Sequence, residues 1–381
     1  MPAHGPGSPL VPPLVPSAVY TFPDLDALDA AYASTPPGFV YARDGHPNAA
    51  ALTDQLNALH AARWGAVSAS GMGAISAAVL PRVRGGDRIV ASDKLYGKTN
   101  KLLRELERFG VRTEFVDVCD LPALTDCLTR ERAAVVFVET ISNPLCRVCD
   151  LPAVAEAAHR SGATVIVDNT FASPVLFRPL DHGADVVMES LTKIISGHSD
   201  VTLGYLGGTD AEFGKTAVAA VSTFGVSANP FDCWLTLRSL ETLDLRVDFA
   251  ADNATEVADW LATRPEVARV VFPGRPDHPD AAVAAKLLPR GPGHMLCLEL
   301  PGGRPAVNRF MRAAPGIPFA PSLGHTGTTC SHPYTTSHRY ETAEAKAGQG
   351  ITPGLVRLSV GCEPLARITA ELERGLLATT G

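Results

Sequence analysis

The chain has little of what marks a nucleic-acid-binding, membrane or secreted protein. Its 33 Lys and Arg stand against 40 Asp and Glu, and the resulting net charge of -7 provides no basic surface for a nucleic acid. No apolar run approaches the roughly 18 residues of a membrane helix, and no Lys or Arg precedes Arg43 to begin a secretory signal. We therefore expect a cytoplasmic protein that binds neither nucleic acid nor membrane.

The sequence also lacks the cysteine and histidine spacings of disulfide scaffolds and zinc sites. Its eight cysteines are scattered, which favours reduced thiols in a reducing compartment. Cys146 and Cys149 form one CxxC without the second ligand pair of a structural zinc site. His325, His332 and His338 do not have zinc-motif spacing, and we interpret them as loop and rim residues. We predict no metal site.

Much of the chain alternates short, apolar, β-rich runs with helical stretches. Six runs predict strands of a large domain, at residues 88–92, 111–117, 134–140, 164–170, 185–190 and 201–207. Strands that are apolar throughout and separated by helices indicate an α/β fold with a mostly parallel sheet covered on both faces. Ligands of such sheets bind at the carboxyl ends of the strands, which is where Glu139, Asp168 and Lys193 fall.

Further units are predicted towards both ends, because 381 residues exceed one ordinary core. Residues 1–16 contain six prolines and predict an extended arm of the kind that lies on a neighbouring subunit. Helices are predicted at 49–63 and 231–263, and strands of a smaller α/β unit at 267–272 and 294–300. The predicted division is an arm at 1–45, a large domain at 46–244 and a C-terminal domain at 245–381.

Lys193 follows an apolar strand-like run and lies 25 positions after Asp168, which ends another such run. This layout suits pyridoxal 5'-phosphate (PLP). A strand-end lysine can form a Schiff base with the cofactor aldehyde, and an aspartate can keep the pyridine nitrogen protonated. The hydroxyls of Ser190 and Thr192 can face a phosphate. The alternatives are a solvated lysine and an aspartate that caps the following turn.

Gly71 and Met72 open the first helix of the large domain. A glycine there lets the backbone approach a ligand, and the free amides at a helix start attract a phosphate. A dinucleotide-binding loop is the alternative, but a third glycine is missing and no convincing strand precedes the loop by a single turn. The segment can also be a packed helix N-terminus without a ligand.

Three more side chains are candidates for contacts with a cofactor or substrate. Tyr96 lies beyond a strand end, where it can stack on a planar ring or be purely structural. Asn143 precedes a proline at a strand end and can donate to a phenolic oxygen or cap a turn. Arg357 is a single charge in an apolar run, so its guanidinium needs a bidentate anion such as an amino-acid carboxylate, or an internal ion pair.

Eight segments of the chain match the motifs of one known family in order and spacing. They are Tyr41-Ala42-Arg43, Ser70-Gly71-Met72, Tyr96-Gly97, Glu139-Thr140 with Asn143-Pro144, Asp168-Asn169-Thr170, Ser190 to Lys193 with Gly197 to Asp200, Ser322-Leu323-Gly324 and Arg357 to Gly361. From about residue 40 to its C-terminus, the chain therefore resembles the Cys/Met-metabolism PLP enzymes, the trans-sulfuration family. That family comprises cystathionine γ-lyases, γ-synthases and β-lyases, methionine γ-lyases and homoserine sulfhydrylases.

The resemblance implies a PLP fold-type I (aspartate aminotransferase-like) large domain with a mostly parallel seven-stranded sheet. It also implies a smaller C-terminal α/β domain and a homotetramer of two active dimers. The implied cofactor contacts are the Schiff base of Lys193, the pairing of Asp168 with the pyridine nitrogen, ring stacking by Tyr96, phosphate binding by Gly71, Met72, Ser190 and Thr192, and phosphate binding in the neighbouring subunit by Tyr41 and Arg43. The implied substrate-binding residues are Asn143, Ser322 and Arg357.

The implied reaction is γ-elimination on a sulfur- or oxygen-substituted homoserine-type amino acid, with cystathionine γ-lyase as the first expectation. Lys193 would move protons at the α- and β-carbons, and Tyr96 would be the acid or base beside the leaving group. The alternatives are γ-replacement, as in cystathionine γ-synthases and O-acylhomoserine sulfhydrylases, and an aminotransferase. Lys98 stands where methionine γ-lyases typically have a cysteine, and Gly327 stands where many cystathionine enzymes have a glutamate, so both positions bear on the choice of substrate.

Overall fold

Two β-sheets organise the chain. The computed structural model describes residues 9–34 and 38–380. The first sheet contains β1 (Trp64–Ser68), β2 (Arg88–Ser92), β3 (Arg112–Val116), β4 (Val135–Glu139), β5 (Thr164–Asp168), β6 (Val186–Glu189) and β7 (Gly204–Gly208). Their order is β1-β7-β6-β5-β4-β2-β3, in which β3, β2, β4, β5 and β6 are parallel and β7 runs against both of its neighbours. The predicted mostly parallel, seven-stranded sheet is confirmed.

Helices pack on both faces of this sheet because successive strand residues point to opposite sides. In β4 and β5, Val136 and Val167 join one buried cluster, whereas Phe137 and Ile166 join the other. Among the described residues, the α-helices up to residue 262 are α1 (Leu25–Ala33), α2 (Pro47–His60), α3 (Gly71–Val79), α4 (Gly97–Glu105), α5 (Leu121–Arg130), α6 (Leu151–Arg160), α7 (Ser173–Leu176), α8 (Ala211–Thr223), α9 (Pro230–Leu240) and α10 (Leu243–Ala262). Short 3₁₀ turns lie at Leu80–Arg82, Leu106–Phe109 and Pro179–His182.

The second sheet is antiparallel and has its own buried cluster. It contains β8 (Arg269–Val271), β9 (Met295–Glu299), β10 (Thr329–Ser331) and β11 (Leu355–Ser359), in the order β10-β11-β9-β8. Its helices are α11 (Ala281–Leu287), α12 (Gly303–Ala313), α13 (Ala343–Gly348) and α14 (Leu365–Leu377). Apolar side chains of α10, α12 and α14 fill the space against β9 and β11, among them Val257, Phe310 and Leu372.

Strand β1 was not predicted. It is short and contains a glycine and an alanine, and it lies at the edge of the sheet, where pairing with β7 and packing of Trp64 against Phe213 of α8 stabilise it. These are long-range contacts with no periodic signal in five residues. The Ser70 loop therefore does follow a strand by a single turn, so that objection to a dinucleotide loop is wrong, although the third glycine is still missing.

The long helix predicted at 231–263 is two helices, α9 and α10, with a break between Leu240 and Leu243. Helix α10 joins both halves of the molecule, because Leu243 and Val247 belong to the first large cluster and Ala254 and Val257 to that of the second sheet. We propose, on this basis, to keep the domain boundary near residue 245.

The described part of the arm contacts its own chain. Asn48 of α2 accepts the Val15 amide at 2.9 Å and donates to the Pro13 carbonyl at 2.9 Å, and Trp234 of α9 donates to Pro12 at 2.8 Å. Helix α1, which was not predicted, interrupts the arm and has no buried residue. Residues 1–8 and 35–37 of the predicted arm lie outside the described residues, and contact with a neighbouring subunit stays a prediction. None of the helices in the described part of the chain has the length and apolar character that a membrane span requires.

Candidate active site

The carboxyl ends of the central strands open into a cavity of about 620 Å³, within the range of roughly 300–1,000 Å³ typical of small-molecule sites. Glu139 ends β4, Asp168 ends β5, and Lys193 follows β6 by four residues, since parallel strands bring their ends to one edge. Ser322, in the loop before β10, and Arg357 of β11 close the other side. The cavity thus combines residues far apart in the chain, as the strand-end pattern predicted.

Lys193 is held at the centre of this cavity. Its Nζ donates to Ser322 Oγ at 3.0 Å. Burial, and then the charge of Arg357, lower the pKa of the Lys193 amine below its ordinary value. A lowered pKa makes the amine a better nucleophile and base than a solvated lysine, and the contact with Ser322 inside the cavity does not fit the solvated-lysine alternative.

Asp168 is buried at the end of β5. Its Oδ1 accepts the amide of Thr170 at 2.9 Å, so the carboxylate does cap the following turn, as the structural alternative supposed. Burial, opposed by hydrogen bonds from Thr170 and reinforced by the Glu189 carboxylate, raises the pKa of Asp168 to about 6. Among the described residues no cation forms an ion pair with Asp168, so its charge lacks the partner that a buried carboxylate requires.

Glu139 was predicted to lie at the same strand-end crevice as Asp168 and Lys193 but was given no role there, and its contacts now indicate one. Its two carboxylate oxygens accept the amides of Tyr96, at 2.6 Å, and Asn143, at 3.0 Å. Burial and the nearby Asp168 raise the pKa of Glu139 well above its ordinary value. One buried carboxyl group therefore orients the loops that carry two candidate residues. The signal was the same as for Asp168: a carboxylate that ends an apolar strand.

The start of α3 lies against the loop after β6. Ser70 caps the helix by accepting the amide of Gly73 at 3.0 Å, which leaves the amides of Gly71 and Met72 without a capping side chain. A Cβ on Gly71 would fall 2.8 Å from Cβ of Ser190, so only glycine permits this approach. Thr192 also lines the cavity, but its hydroxyl already bonds the backbone of Leu203, at 3.1 and 3.2 Å. The result is a concave backbone surface with free donors.

Arg357, Asn143 and Ser322 form a connected group at the other side of Lys193. The guanidinium donates to Asn143 Oδ1 at 2.6 Å and to the Ser322 carbonyl at 3.0 Å. It is only 4% exposed and its Nε has no partner. No carboxylate pairs with it among the described residues, which argues against the internal ion pair. A buried guanidinium with an unused donor is suited to an incoming carboxylate.

Tyr96 lines the cavity just before α4 and is 37% exposed. Burial of part of the ring is the main reason why the pKa of its hydroxyl is raised. Tyr41 and Arg43, in contrast, do not line the cavity of their own chain. Both are exposed, and the Arg43 guanidinium lies 5.0 Å from the centre of the Tyr41 ring. The structure brings the other ten predicted residues together and leaves these two apart.

Comparison with known proteins decides the family. Residues 6–377 match the protein family described as Cys/Met metabolism PLP-dependent enzyme. The chain belongs to this family. L-methionine gamma-lyase from Pseudomonas putida is 36% identical over 375 residues, 98% of this chain and 94% of that protein. O-succinylhomoserine sulfhydrylase from Pseudomonas aeruginosa is 36% identical over 360 residues, 94% of this chain and 89% of that protein.

Solved structures support the same family assignment. Cystathionine gamma synthase from Xanthomonas oryzae pv. oryzae, in complex with aminoacrylate and cysteine, has a TM-score of 0.92 and 36% identity, over 97% of this chain and 93% of that one. The predicted PLP cofactor and fold-type I architecture are confirmed. So is the predicted class, a PLP-dependent trans-sulfuration enzyme that eliminates or replaces a group at the γ-carbon.

The cavity of this PLP-dependent enzyme fits the cofactor on three independent observations. The buried Asp168 carboxylate accepts hydrogen bonds from Thr170 but has no ion-pair partner among the described residues, and a protonated pyridine nitrogen would supply one. The approach of Gly71 to Ser190, with uncapped amides beside it, makes room for a phosphate at a helix N-terminus. Burial lowers the pKa of the Lys193 amine, which increases the share of its neutral, nucleophilic form.

The structure also tests the interpretations of the three loop histidines and of the Cys146–Cys149 pair. His332 and His338 are buried, at 4% and 1% exposed, and are not rim residues; backbone and hydroxyl groups around them offset the cost of burial. His325 is half-buried, 3.2 Å from Ser199 Oγ. Cys146 and Cys149 are packed thiols, and burial raises the pKa of Cys146 to about 12. The described residues contain no group of three or more potential metal ligands.

Proposed function

We propose that this enzyme catalyses γ-elimination on a homoserine-type amino acid that carries a sulfur or oxygen substituent, as a cystathionine γ-lyase does. The observation that carries the proposal is the position of Ser322. Its hydroxyl accepts from the Lys193 amine and its carbonyl accepts from the Arg357 guanidinium. An amino-acid carboxylate on Arg357 would therefore hold the α-carbon beside the amine that removes its proton.

The cofactor contacts are part of the same proposal. PLP, when bound, supplies an electron sink for the charge that develops as the α-proton leaves. Lys193 would hold the cofactor aldehyde, Asp168 would pair with the ring nitrogen and Tyr96 would stack on the ring. Phosphate binding is assigned to Gly71, Met72, Ser190 and Thr192. The Thr192 hydroxyl would have to share its bonds with Leu203 or leave them.

The chain's own residues would then move protons at two carbons. Lys193 Nζ would accept a proton from the α-carbon, deliver it to the cofactor carbon that holds the substrate nitrogen, and then, as a free amine again, accept one from the β-carbon; its lowered pKa favours both removals. The Tyr96 hydroxyl, whose pKa burial raises above its ordinary value of 10, would donate a proton to the group that leaves the γ-carbon. Asn143 and Arg357 would hold the substrate carboxylate throughout.

γ-Replacement is the second candidate, and one observation favours it. Tyr96 is 37% exposed, so a nucleophile can reach the γ-carbon from solvent after the first group has left. The sulfhydrylase of Pseudomonas aeruginosa and the synthase of Xanthomonas oryzae carry names of replacement enzymes. An aminotransferase is a weaker third candidate, and it would leave the cofactor in its amine form, with a lasting change in absorbance.

The decisive experiment incubates the PLP-loaded protein with cystathionine, methionine, O-acetylhomoserine and O-succinylhomoserine, each with and without a thiol, and identifies the products by mass spectrometry. Elimination predicts 2-oxobutanoate and ammonia without a thiol. A thioether product in place of 2-oxobutanoate would make the enzyme a replacement enzyme and the lyase assignment wrong. Lys193→Ala should lose both the yellow colour and turnover, whereas Lys215→Ala, an exposed lysine of α8, should keep both.

The assembly and location are also proposals. We infer a homotetramer of two active dimers because Tyr41 and Arg43 are exposed outside their own cavity, as residues that serve a neighbouring subunit would be. A cytoplasmic location is supported by the cysteines, none of which forms a disulfide in the described chain.

A further inference from the structure

The cavity extends outward from Lys193 to a second group of residues, here called the outer end: Lys98, Thr335, Thr336, Arg339 and Tyr340. Two chain segments meet there. The Ser337 carbonyl occupies the place that a Cβ on Gly97 would take, and Lys98 Nζ lies 5.9 Å from the centre of the Tyr340 ring. Lys98 and Arg339 therefore face the same end of one cavity.

The segment that carries Arg339 is held from beneath by the two buried histidines. His332 Nδ1 lies 2.9 Å from Thr335 Oγ1, and the His332 carbonyl accepts from Thr336 Oγ1 at 2.9 Å. His338 Nδ1 lies 2.8 Å from Ser337 Oγ. Burial lowers the pKa of His338 to about 4, so this ring is neutral at pH 7 and adds no charge. The hydroxyls of the segment are thus engaged within it.

Among the described residues, the outer end of the cavity is lined by two cations, Lys98 and Arg339, and by no acid. Two acids line the cavity, and both lie at the inner strand ends, where Glu139 binds two backbone amides and Asp168 binds that of Thr170. In the described chain neither Lys98 nor Arg339 forms an ion pair with an acid. The nearest acid along the chain, Glu341, accepts from Gln349 at 3.0 Å and does not line the cavity.

We infer that the outer end binds the carboxylate of an anionic γ-substituent and that Lys98 and Arg339 determine this specificity. The inference rests on the proposed function for the position of the substrate. With the α-carboxylate on Arg357, the γ-substituent points away from Lys193 towards the outer end. Arg339 offers a planar fork to a carboxylate and Lys98 a point charge.

The same charges discriminate against a substituent that ends in an ammonium group. The distal half of cystathionine carries a carboxylate as well as an ammonium group, so the two cations would attract one and repel the other, whereas an anionic substituent without an ammonium group would only be attracted. Neutral thioethers and esters would meet neither attraction nor repulsion. The loop at His325–Thr328 has no part in this choice, because none of its residues lines the cavity. Substrate selection is thereby assigned to Lys98 and Arg339, and not to the position of Gly327.

Three amino acids of equal length test the inference by binding alone. 2-Aminoadipate ends in a carboxylate, norleucine in a methyl group and lysine in an ammonium group, and none carries a leaving group at the γ-carbon. Calorimetric titration of the PLP-loaded protein should show that aminoadipate binds most tightly, norleucine less tightly and lysine least tightly. The dissociation constants of the first two should differ by roughly tenfold. Lys98→Met and Arg339→Gln should each reduce that ratio by roughly three- to tenfold.

Lys101→Met is the matched control, an exposed lysine of the same helix that does not line the cavity, and it should keep the ratio of the parent protein. Equal binding of aminoadipate and norleucine, or an unchanged ratio in both variants, would overturn the inference.

Turnover separates this inference from the proposed function. Preferential binding of aminoadipate without turnover of any γ-substituted amino acid would support the outer end and refute the γ-elimination proposal. If O-acetylhomoserine and O-succinylhomoserine are both consumed, their kcat/KM ratio should favour the succinyl ester and fall roughly tenfold in Lys98→Met. An unchanged ratio there would refute the role of Lys98 and leave γ-elimination standing.

Discussion

Replacing Asp168 by asparagine is predicted to stabilise the cofactor-free protein while it removes PLP-dependent turnover. The carboxylate is buried and has no cation beside it in the described chain, so its charge is a cost to the folded state without the cofactor. Asparagine removes that charge, and its carbonyl can still accept the Thr170 amide. It cannot supply the negative charge that holds a pyridine nitrogen protonated, so function should be lost.

The size of the effect follows from the pKa. Burial raises the pKa of Asp168 from an ordinary value of 3.8 to about 6, which at pH 8 corresponds to a penalty of at most about 3 kcal/mol. Burying the asparagine amide without a partner costs about 1–2 kcal/mol, so the free energy of unfolding should increase by a net amount of about 1–2 kcal/mol. Because the folded pKa is raised, the penalty is absent below pH 3.8 and grows as the pH rises to about 6. The gain should therefore shrink by about 1–2 kcal/mol between pH 8 and pH 5.

Urea unfolding of the cofactor-free proteins at both pH values measures these differences, and the absorbance of added PLP reports its binding. Asp117→Asn is the matched control, because Asp117 also follows a strand but has Lys94 at 2.7 Å. Burial raises and Lys94 lowers the pKa of Asp117, with a net decrease, so this variant should lose stability equally at pH 5 and pH 8. An Asp168→Asn protein that is less stable at pH 8, or that keeps normal turnover, would refute the reasoning.

Three further predictions concern other parts of the site. Glu139→Gln should lower kcat/KM by roughly tenfold to a hundredfold in steady-state assays, because a side-chain amide has one acceptor oxygen and cannot accept the amides of both loops. Unchanged kinetics would contradict the role of Glu139 in orienting these loops. Gly71→Ala should weaken PLP retention in equilibrium dialysis because its Cβ would clash, whereas Gly348→Ala, with open space around it, should not; equal retention in both would be the contrary result. Arg43→Ala should also retain PLP weakly, and mixed oligomers with Lys193→Ala should regain part of the activity if the arginine acts across subunits; no regain in properly mixed oligomers would count against a shared site.

The sheet could be predicted from the sequence because its signal is local. The runs that became β2, β4, β5 and β6 are apolar between their end residues, as strands buried on both faces must be. Strand β1 gave no such signal, because it owes its form to pairing with β7, some 140 residues later in the chain. The break between α9 and α10 was missed for a similar reason: no proline or glycine marks it, and packing against two different cores ends one helix and begins the next.

The chemistry of the site could be predicted from the sequence, but most of the contacts between its residues could not. Lys193, Asp168 and Arg357 each stood out as a charged side chain at or within an apolar strand, where a charge requires a partner. Nothing local indicated that Glu139 clamps two loops or that His332 and His338 are buried supports. Their partners are set by how the loops fold back on the sheet edge.

By itself, therefore, the sequence determined the family, the cofactor and the identity of the charged residues, because periodicity, motif order and side-chain chemistry are properties of short segments. The tertiary structure alone decided which of those residues meet. Lys193 contacts Ser322 across 129 positions of the chain and Arg357 contacts Asn143 across 214. Lys98 lines the same cavity as Arg339 because the segment around Ser337 packs against the start of α4. Contacts at such separations depend on how the strands are ordered and the sheets packed, and no single segment of the chain encodes them.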